Sequence, residues 1–339
     1  MPEANPRTMV TVPTVPHHAR SLPLRVGTRG SPLALVQTRA FLDVLVRFCP
    51  VLRAMDVFEE HVIRTTGDRV QDRSLAAIGG KGLFSKEIHE ALADARIDFA
   101  VHSLKDLETS LPPGIVLACT LRREDARDAL ILGPNGLDAD LADPLAALPH
   151  GAVIGTNSVR RQAILLHSRP DLQIALIRGN VQPRIDKIRR GDAAATLLAM
   201  SGLRLLGIAD SAWPDITIVP LEPDIMVPSA GQGIVGVTVR EDDLELRTML
   251  AGIEDPQARA VSTAERALLA LLDGSCMTPI GGYARFLPSG TLTLTGLVAR
   301  PDGSFLLRRT LSGGAGDARR LGAELGSSLR RDSPADVFA

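Results

Sequence analysis

The sequence predicts α/β domains with mainly parallel sheets, followed by a small α+β domain with an antiparallel sheet. Short strand-like runs alternate with amphipathic helices up to about residue 255, where one long helix and several strand-like runs replace that alternation. Length sets the count: 339 residues exceed the roughly 100–200 that one core usually organises, so two or three domains are expected.

Taken in order, residues 1–21 hold four prolines and the adjacent His17 and His18. They offer little to bury and read as a flexible tail, with metal binding by the histidine pair as the other reading. Residues 23–28 read as a strand. Ser31 and Pro32 then open a helix as N-cap and first helical residue, with Leu35, Leu42, Leu45 and Val46 on one face. Phe84, Ile88, Leu92 and Ala95 make a second helical stripe that leads into a buried strand at 98–101. The first unit recurs as a strand at 152–156 and a helix at 159–167 capped by Ser158, and 173–177 is the next apolar run. Asp255 and Pro256 open a helical pattern through Leu272. A Gly/Ser/Pro loop around Cys276 follows, and then strand-like runs at 291–298 and 304–311.

Composition excludes several classes. With 38 basic and 39 acidic residues the chain has no field of the kind that holds nucleic acid or anionic membrane. No apolar run reaches the roughly 18 residues of a membrane helix, and residues 1–21 lack a secretory signal, so a soluble cytoplasmic protein is expected. Cys49, Cys119 and Cys276 are widely spaced and form no Cys-x-x-Cys, which argues against a disulfide framework and a zinc site; no metal is expected.

The polar motifs fall at the carboxyl ends of strands, where α/β sheets place their ligand sites. Arg29 lies in Gly-Thr-Arg-Gly-Ser-Pro, Arg160 and Arg161 in Gly-Thr-Asn-Ser-Val-Arg-Arg-Gln, and Arg178 and Arg184 in Arg-Gly-Asn-Val-Gln-Pro-Arg. Guanidinium forks grip carboxylates bidentately and a helix start adds positive backbone ends, so the pattern predicts a pocket for a polycarboxylate or a phosphate ester. The bland alternative for Arg160 and Arg161 is a capped helix with two solvated arginines. Residues 101–106 bring a hydroxyl (Ser103), an ammonium (Lys105) and a carboxylate (Asp106) to one strand end, suited to charge stabilisation or proton transfer; a structural Lys-Asp pair is the other reading. His102 reads as a packed histidine. Gly79-Gly80-Lys81-Gly82 lacks the spacing of an ATP loop and reads as a flap. Glycines and a proline expose Cys276 on a tight turn, where a thiol serves as nucleophile or attachment point, whereas Cys49 and Cys119 sit in apolar runs and read as inert.

Across residues 23 to about 330 the chain resembles the hydroxymethylbilane synthase (porphobilinogen deaminase) family. Seven stretches carry the resemblance in the right order: 25–35, 79–87, 100–106, 155–162, 178–184, Pro-Ser-Ala-Gly-Gln-Gly at 228–233 and the Cys276 loop. It implies two periplasmic-binding-protein-like domains, 22–122 with 234–251 and 126–227, and a third at 255–335 that carries the cysteine. It also implies a transferase that joins four porphobilinogens head to tail into hydroxymethylbilane with loss of ammonia, on a dipyrromethane primer held by a thioether to Cys276. Asp106 matches the catalytic carboxylate that balances the azafulvenium cation. Ser103, Lys105, Thr156, Ser158, Arg160, Arg161 and Arg184 match cofactor-binding positions, and Arg29, Ser31, Arg178 and Gln232 match substrate-side positions. A monomer with a small-molecule substrate, and neither nucleic acid nor membrane as partner, is implied. Three positions depart from the family pattern: Leu205 stands where a pocket arginine is expected, next to Arg204; Glu108 replaces a proline; and Ser275 replaces the glycine before the cysteine. Two other classes compete, a non-catalytic carboxylate-binding module of periplasmic-binding-protein type and a relative that binds porphobilinogen without polymerising it.

Overall fold

Apolar runs of the chain pair into three sheets. A computed structural model describes residues 22–53, 57–70, 82–134, 143–209, 215–273 and 278–338. The first sheet joins Leu24–Arg29 (β1), Phe58–Ile63 (β2), Phe99–Ser103 (β3), Ile115–Thr120 (β4) and, from much later in the chain, Val235–Arg240 (β10), in the order β2-β1-β3-β10-β4. The second joins Asp128–Leu132 (β5), Val153–Gly155 (β6), Gln173–Ala175 (β7), Ala195–Ala199 (β8) and Thr217–Leu221 (β9), in the order β7-β6-β8-β5-β9. Ile280–Phe286 (β11), Leu292–Ala299 (β12) and Leu306–Gly313 (β13) form an antiparallel third sheet.

The first two sheets share one plan. β1 is parallel to β2 and β3, and β6 is parallel to β7 and β8. In each, the single reversed strand is the one that arrives from the other sheet: β10 runs against β3 and β4, and β5 against β8 and β9. The chain therefore crosses twice between two alike, mainly parallel units.

Helix starts form where the sequence supplies caps. Ser31 accepts from the Ala34 amide ahead of Pro32–Phe48, Ser158 from Arg161 ahead of Val159–Ser168, and Asp255 from Ala258 ahead of Pro256–Leu271. The buried stripe of the first helix centres on Thr38, Phe41 and Leu45, while Leu35, Leu42 and Val46 are half-buried, because Phe41 packs edge-on against Phe99 of β3 at 5.6 Å. The helix expected across 84–95 is shorter, Lys86–Ala93. Phe84 precedes it in a turn, and Ala95, exposed with φ of 53°, closes the turn after it. Gly281 and Gly282, expected in the Cys276 loop, lie in a strand, β11, where an added Cβ at Gly281 would lie 2.9 Å from Val227 and one at Gly282 3.2 Å from Leu268.

The third sheet and its helices touch both larger units. Leu297 and Ala299 of β12 share a core with Leu130, Ile154 and Leu197 of the second sheet. Leu104, Leu107 and Ile234, which adjoin the first sheet, share one with Leu268, Leu292 and Leu325.

Candidate active site

β1 and β3 are parallel neighbours, so their carboxyl ends bring Arg29 and the turn Leu104–Asp106 together. Arg29 donates from Nη1 to Asp106 at 3.1 Å and grips Asp68 bidentately, Nη2 at 2.6 Å and Nε at 3.2 Å, with its guanidinium 4.2 Å above the Phe84 ring. Burial opposes the charge on both sides, yet the mutual hydrogen bonds hold the Asp68 carboxyl below its usual range and Arg29 above its own. Lys105 is not the partner of Asp106. Its Nζ donates instead to Gln232 Oε1 at 3.3 Å, and burial pushes the ammonium below its ordinary value.

The facing wall comes from the second sheet. After β6, the Thr156 hydroxyl accepts from the Ser158 amide at 3.2 Å, and the capped helix puts Arg160 and Arg161 in its first turn. Both guanidinium groups are buried rather than solvated, because both donate to Asp128: Arg160 Nη2 to Oδ2 at 2.7 Å and Arg161 Nη2 to Oδ1 at 2.6 Å. Burial alone would raise the Asp128 carboxyl, and the two arginines overcome it and hold it well below the carboxylate range. Arg184 donates to Thr196 and to the Leu197 carbonyl, each at 2.8 Å. Burial and the charge of Arg161 lower the Arg184 pKa to about 9, so it stays cationic at neutral pH. Arg178 reaches across to the Val70 carbonyl at 2.7 Å.

Between these walls lies a cavity of about 340 Å³, within the roughly 300–1,000 Å³ of small-molecule sites. Arg29, Lys105, Asp106 and Gln232 line it on one side, and Ser158, Arg160, Arg161, Arg178 and Arg184 on the other. Ser31 and Ser103 line an adjoining pocket of about 70 Å³ that shares Arg29, Lys105 and Asp106. Thr156 lines neither; buried, it supports the turn before Ser158. Cys276 and the 79–81 part of the glycine-rich segment lie outside the described residues, while Thr278 and Ile280, just after Cys276, line the cavity. Among the described residues no group of three or more His, Cys, Asp or Glu is placed to hold a metal.

Several further residues belong to this region. Asp68, Phe84, Asn157 and Asn180 line the cavity, and Asp128 sits behind it. Asp68 was readable as the fourth residue of Thr-Thr-Gly-Asp, a capping-box spacing, and Asp128 as an acid opening an apolar strand, which demands a buried partner. His102 is packed, its Nε2 2.9 Å from Thr238 Oγ1, and burial with the charges of His89, Arg29 and Arg266 lowers it to about 3. Cys119 is fully buried, and burial with the nearby charge of Glu254 pushes its thiol up to about 12, leaving it inert. Cys49 follows the first helix as its C-cap and is half-buried. Arg204 does not replace the arginine expected at Leu205: it pairs with Asp125 at 3.2 Å, and neither residue lines the cavity. Glu108 accepts from Ser85 at 2.6 Å, tying the segment after Asp106 to the start of helix Lys86–Ala93.

Residues 24–248 match the family model described as porphobilinogen deaminase, dipyromethane cofactor binding domain, and residues 260–331 match that of the porphobilinogen deaminase C-terminal domain. The chain belongs to the porphobilinogen deaminase family. It is 46% identical to the porphobilinogen deaminase of Paracoccus denitrificans over 93% of this chain and 96% of that one. The Nitrobacter winogradskyi enzyme is 46% identical over 92% and 94%, and the chloroplastic one of Oryza sativa 42% identical over 86% and 78%. Membership brings an enzymatic activity and a dipyrromethane cofactor, which sets aside the non-catalytic binding module. No helix among the described residues is long and apolar enough to cross a membrane.

Proposed function

We propose that the 340 Å³ cavity is where porphobilinogen is deaminated and joined head to tail into hydroxymethylbilane on a dipyrromethane held through sulfur to Cys276. The observation that carries this is the convergence of Arg160, Arg161 and Arg184 from one side and Lys105 from the other on a cavity that Asp106 also lines. The residues suit the cofactor. Its carboxylates match the cations, and two buried atoms of cavity-lining residues, the acceptor Asn157 Oδ1 and the donor Arg184 Nε, bond to no described residue, which suits a ligand that carries both N–H groups and carboxylates.

In this reading Ser103, Lys105, Ser158, Arg160, Arg161 and Arg184 hold the cofactor, with Thr156 behind Ser158. Arg29, Ser31 and Arg178 take the acetate and propionate of the incoming substrate, and Gln232 acts from the wall. When bound, the cofactor supplies the carbon nucleophile at its free pyrrole end. Asp106 lies where positive charge develops on the substrate as ammonia departs, and its carboxylate stabilises that charge and takes up the pyrrole proton. Arg29, pinned by Asp68, keeps Asp106 oriented toward the cavity. The working unit is a soluble cytoplasmic monomer, divided as 22–122 with 234–251, 126–227 and 255–335, that neither nucleic acid nor membrane engages.

The test pairs mass with turnover. Intact-protein mass spectrometry should show two linked pyrroles on Cys276, and Asp106→Asn should keep fold and adduct while kcat drops by about 100-fold or more. An unmodified active protein, or an Asp106→Asn variant with normal turnover, would sink the reading.

A further inference from the structure

Asp128 opens β5 behind the cavity wall, fully buried and lining none of the cavity. Its two oxygens take four hydrogen bonds: Arg160 Nη2 on Oδ2, and Arg161 Nη2, Arg161 Nε and Gln232 Nε2 on Oδ1, at 2.7, 2.6, 3.2 and 2.9 Å. Each arginine has a second anchor, Arg160 Nη1 on the Val227 carbonyl at 2.5 Å and Arg161 Nη1 on the Leu197 carbonyl at 2.8 Å. A guanidinium has five N–H groups, so both retain donors for the cavity.

Gln232 passes the constraint on. Its Nε2 donates to Asp128 and to the Ala126 carbonyl, and its Oε1 accepts from Lys105 Nζ and Ser229 Oγ, each at 3.3 Å. Two donors and two acceptor positions are all a side-chain amide has, so this one is saturated by the protein. Lys105 follows β3 of the first sheet, Asp128 belongs to the second, and Gln232 lies on the returning crossover between them.

We infer that Asp128 is a positioning residue for the deaminase reaction, holding Arg160 and Arg161 directly and Lys105 through Gln232, so that cations from both sheets stand in fixed places before a polycarboxylate arrives. This rests on reading the cavity as the dipyrromethane site. Flexible cationic chains bind anions weakly when they must be ordered at the moment of binding, and a buried carboxylate behind the wall removes that cost without competing for the ligand.

Asp128→Asn keeps the shape and one acceptor oxygen while removing the charge. It should keep a wild-type circular dichroism spectrum, take up cofactor into apoprotein about 10- to 100-fold more slowly by intact mass, and lose kcat by a similar factor, the scale on which residues that orient ligand-holding groups act. KM for porphobilinogen should stay within about threefold, since Arg29 and Arg178 are untouched. A purely structural role would lower the melting temperature and leave loading and kcat intact well below it. Should this variant fail to fold, Gln232→Leu cuts the link to Lys105 and spares both arginine pairs; slow loading with KM retained supports the proposal. Wild-type loading and kcat in either folded variant, or a loss confined to KM, overturns it. A wild-type enzyme without the pyrrole adduct would instead overturn the cofactor reading.

Discussion

Asp106 and His102 stand four residues apart and have opposite fates. Asp106 faces the cavity, held by a guanidinium that Asp68 fixes from the other side. His102 is buried with its Nε2 against Thr238, and His89, Arg29 and Arg266 disfavour its charge. A histidine so placed makes the fold sensitive to acid. Its folded pKa of about 3 lies below the ordinary 6.5, so between these values the unfolded chain binds a proton that the folded chain does not. Stability is therefore fully present above 6.5 and falls as pH drops toward 3, by about 1.4 kcal/mol per pH unit from this residue. His89, also lowered by burial though the nearby charge of Glu108 opposes the shift, acts in the same direction. Denaturant titrations of the wild type and His102→Gln across this range should show a shallower pH slope in the variant; equal slopes would contradict the assignment.

Elements whose signals are local were legible in the sequence, and those defined by a distant contact were not. Ser31, Ser158 and Asp255 cap the helices they were expected to cap, because an N-cap depends only on residues within one turn. The start of strand β11 was not legible because Gly281 and Gly282 look like turn residues, and the approach of Val227 and Leu268 shows why glycine suits a strand there. The grouping of the five arginines was legible, and all five line the cavity. That Arg160 and Arg161 are clamped was not, because Asp128 lies 32 and 33 residues away from them in sequence. Gly303 illustrates the same dependence. It sits at φ of 76° in the β12–β13 turn, its carbonyl oxygen is 2.9 Å from His167 Nδ1, and an added Cβ would lie 2.5 Å from backbone atoms of Leu166 and His167. Gly303→Ala should therefore destabilise the protein by about 1–3 kcal/mol by lifting this turn off helix Val159–Ser168, read as a lower denaturation midpoint at unchanged slope. An unchanged midpoint would show that the turn moves freely.

At the scale of the molecule, the two crossings and the third unit are tied to one another near the cavity. Arg123, in the first crossing, donates to the Gln232 carbonyl in the second and, in the third unit, to buried Glu265 and to the Ala284 carbonyl. Arg266 of helix Pro256–Leu271 grips the carbonyls of Leu107, Glu108 and Thr109 directly after Asp106. These ties hold together a cavity rich in positive charge: Lys105, Arg160, Arg161 and Arg184 face it, Arg29 is answered by Asp68 and Asp106, and Asp128 answers Arg160 and Arg161 from behind. The surplus is repulsive, the charge of Arg161 disfavouring those of Lys105 and Arg184, and each charged hydrogen bond to a bound carboxylate would contribute about 1.5–3 kcal/mol. A Cys276→Ser protein, which cannot hold the cofactor by a thioether, should thus melt about 5–10 °C below the cofactor-bearing enzyme. Sulfate stabilises most proteins by exclusion, so the discriminating quantity is the difference: it should raise the melting temperature of the cofactor-free protein more than that of the loaded one, because only the former keeps the Arg184 Nε donor open to the anion. Equal shifts in the two, or equal melting temperatures without sulfate, would mean that the cations are already balanced within the protein.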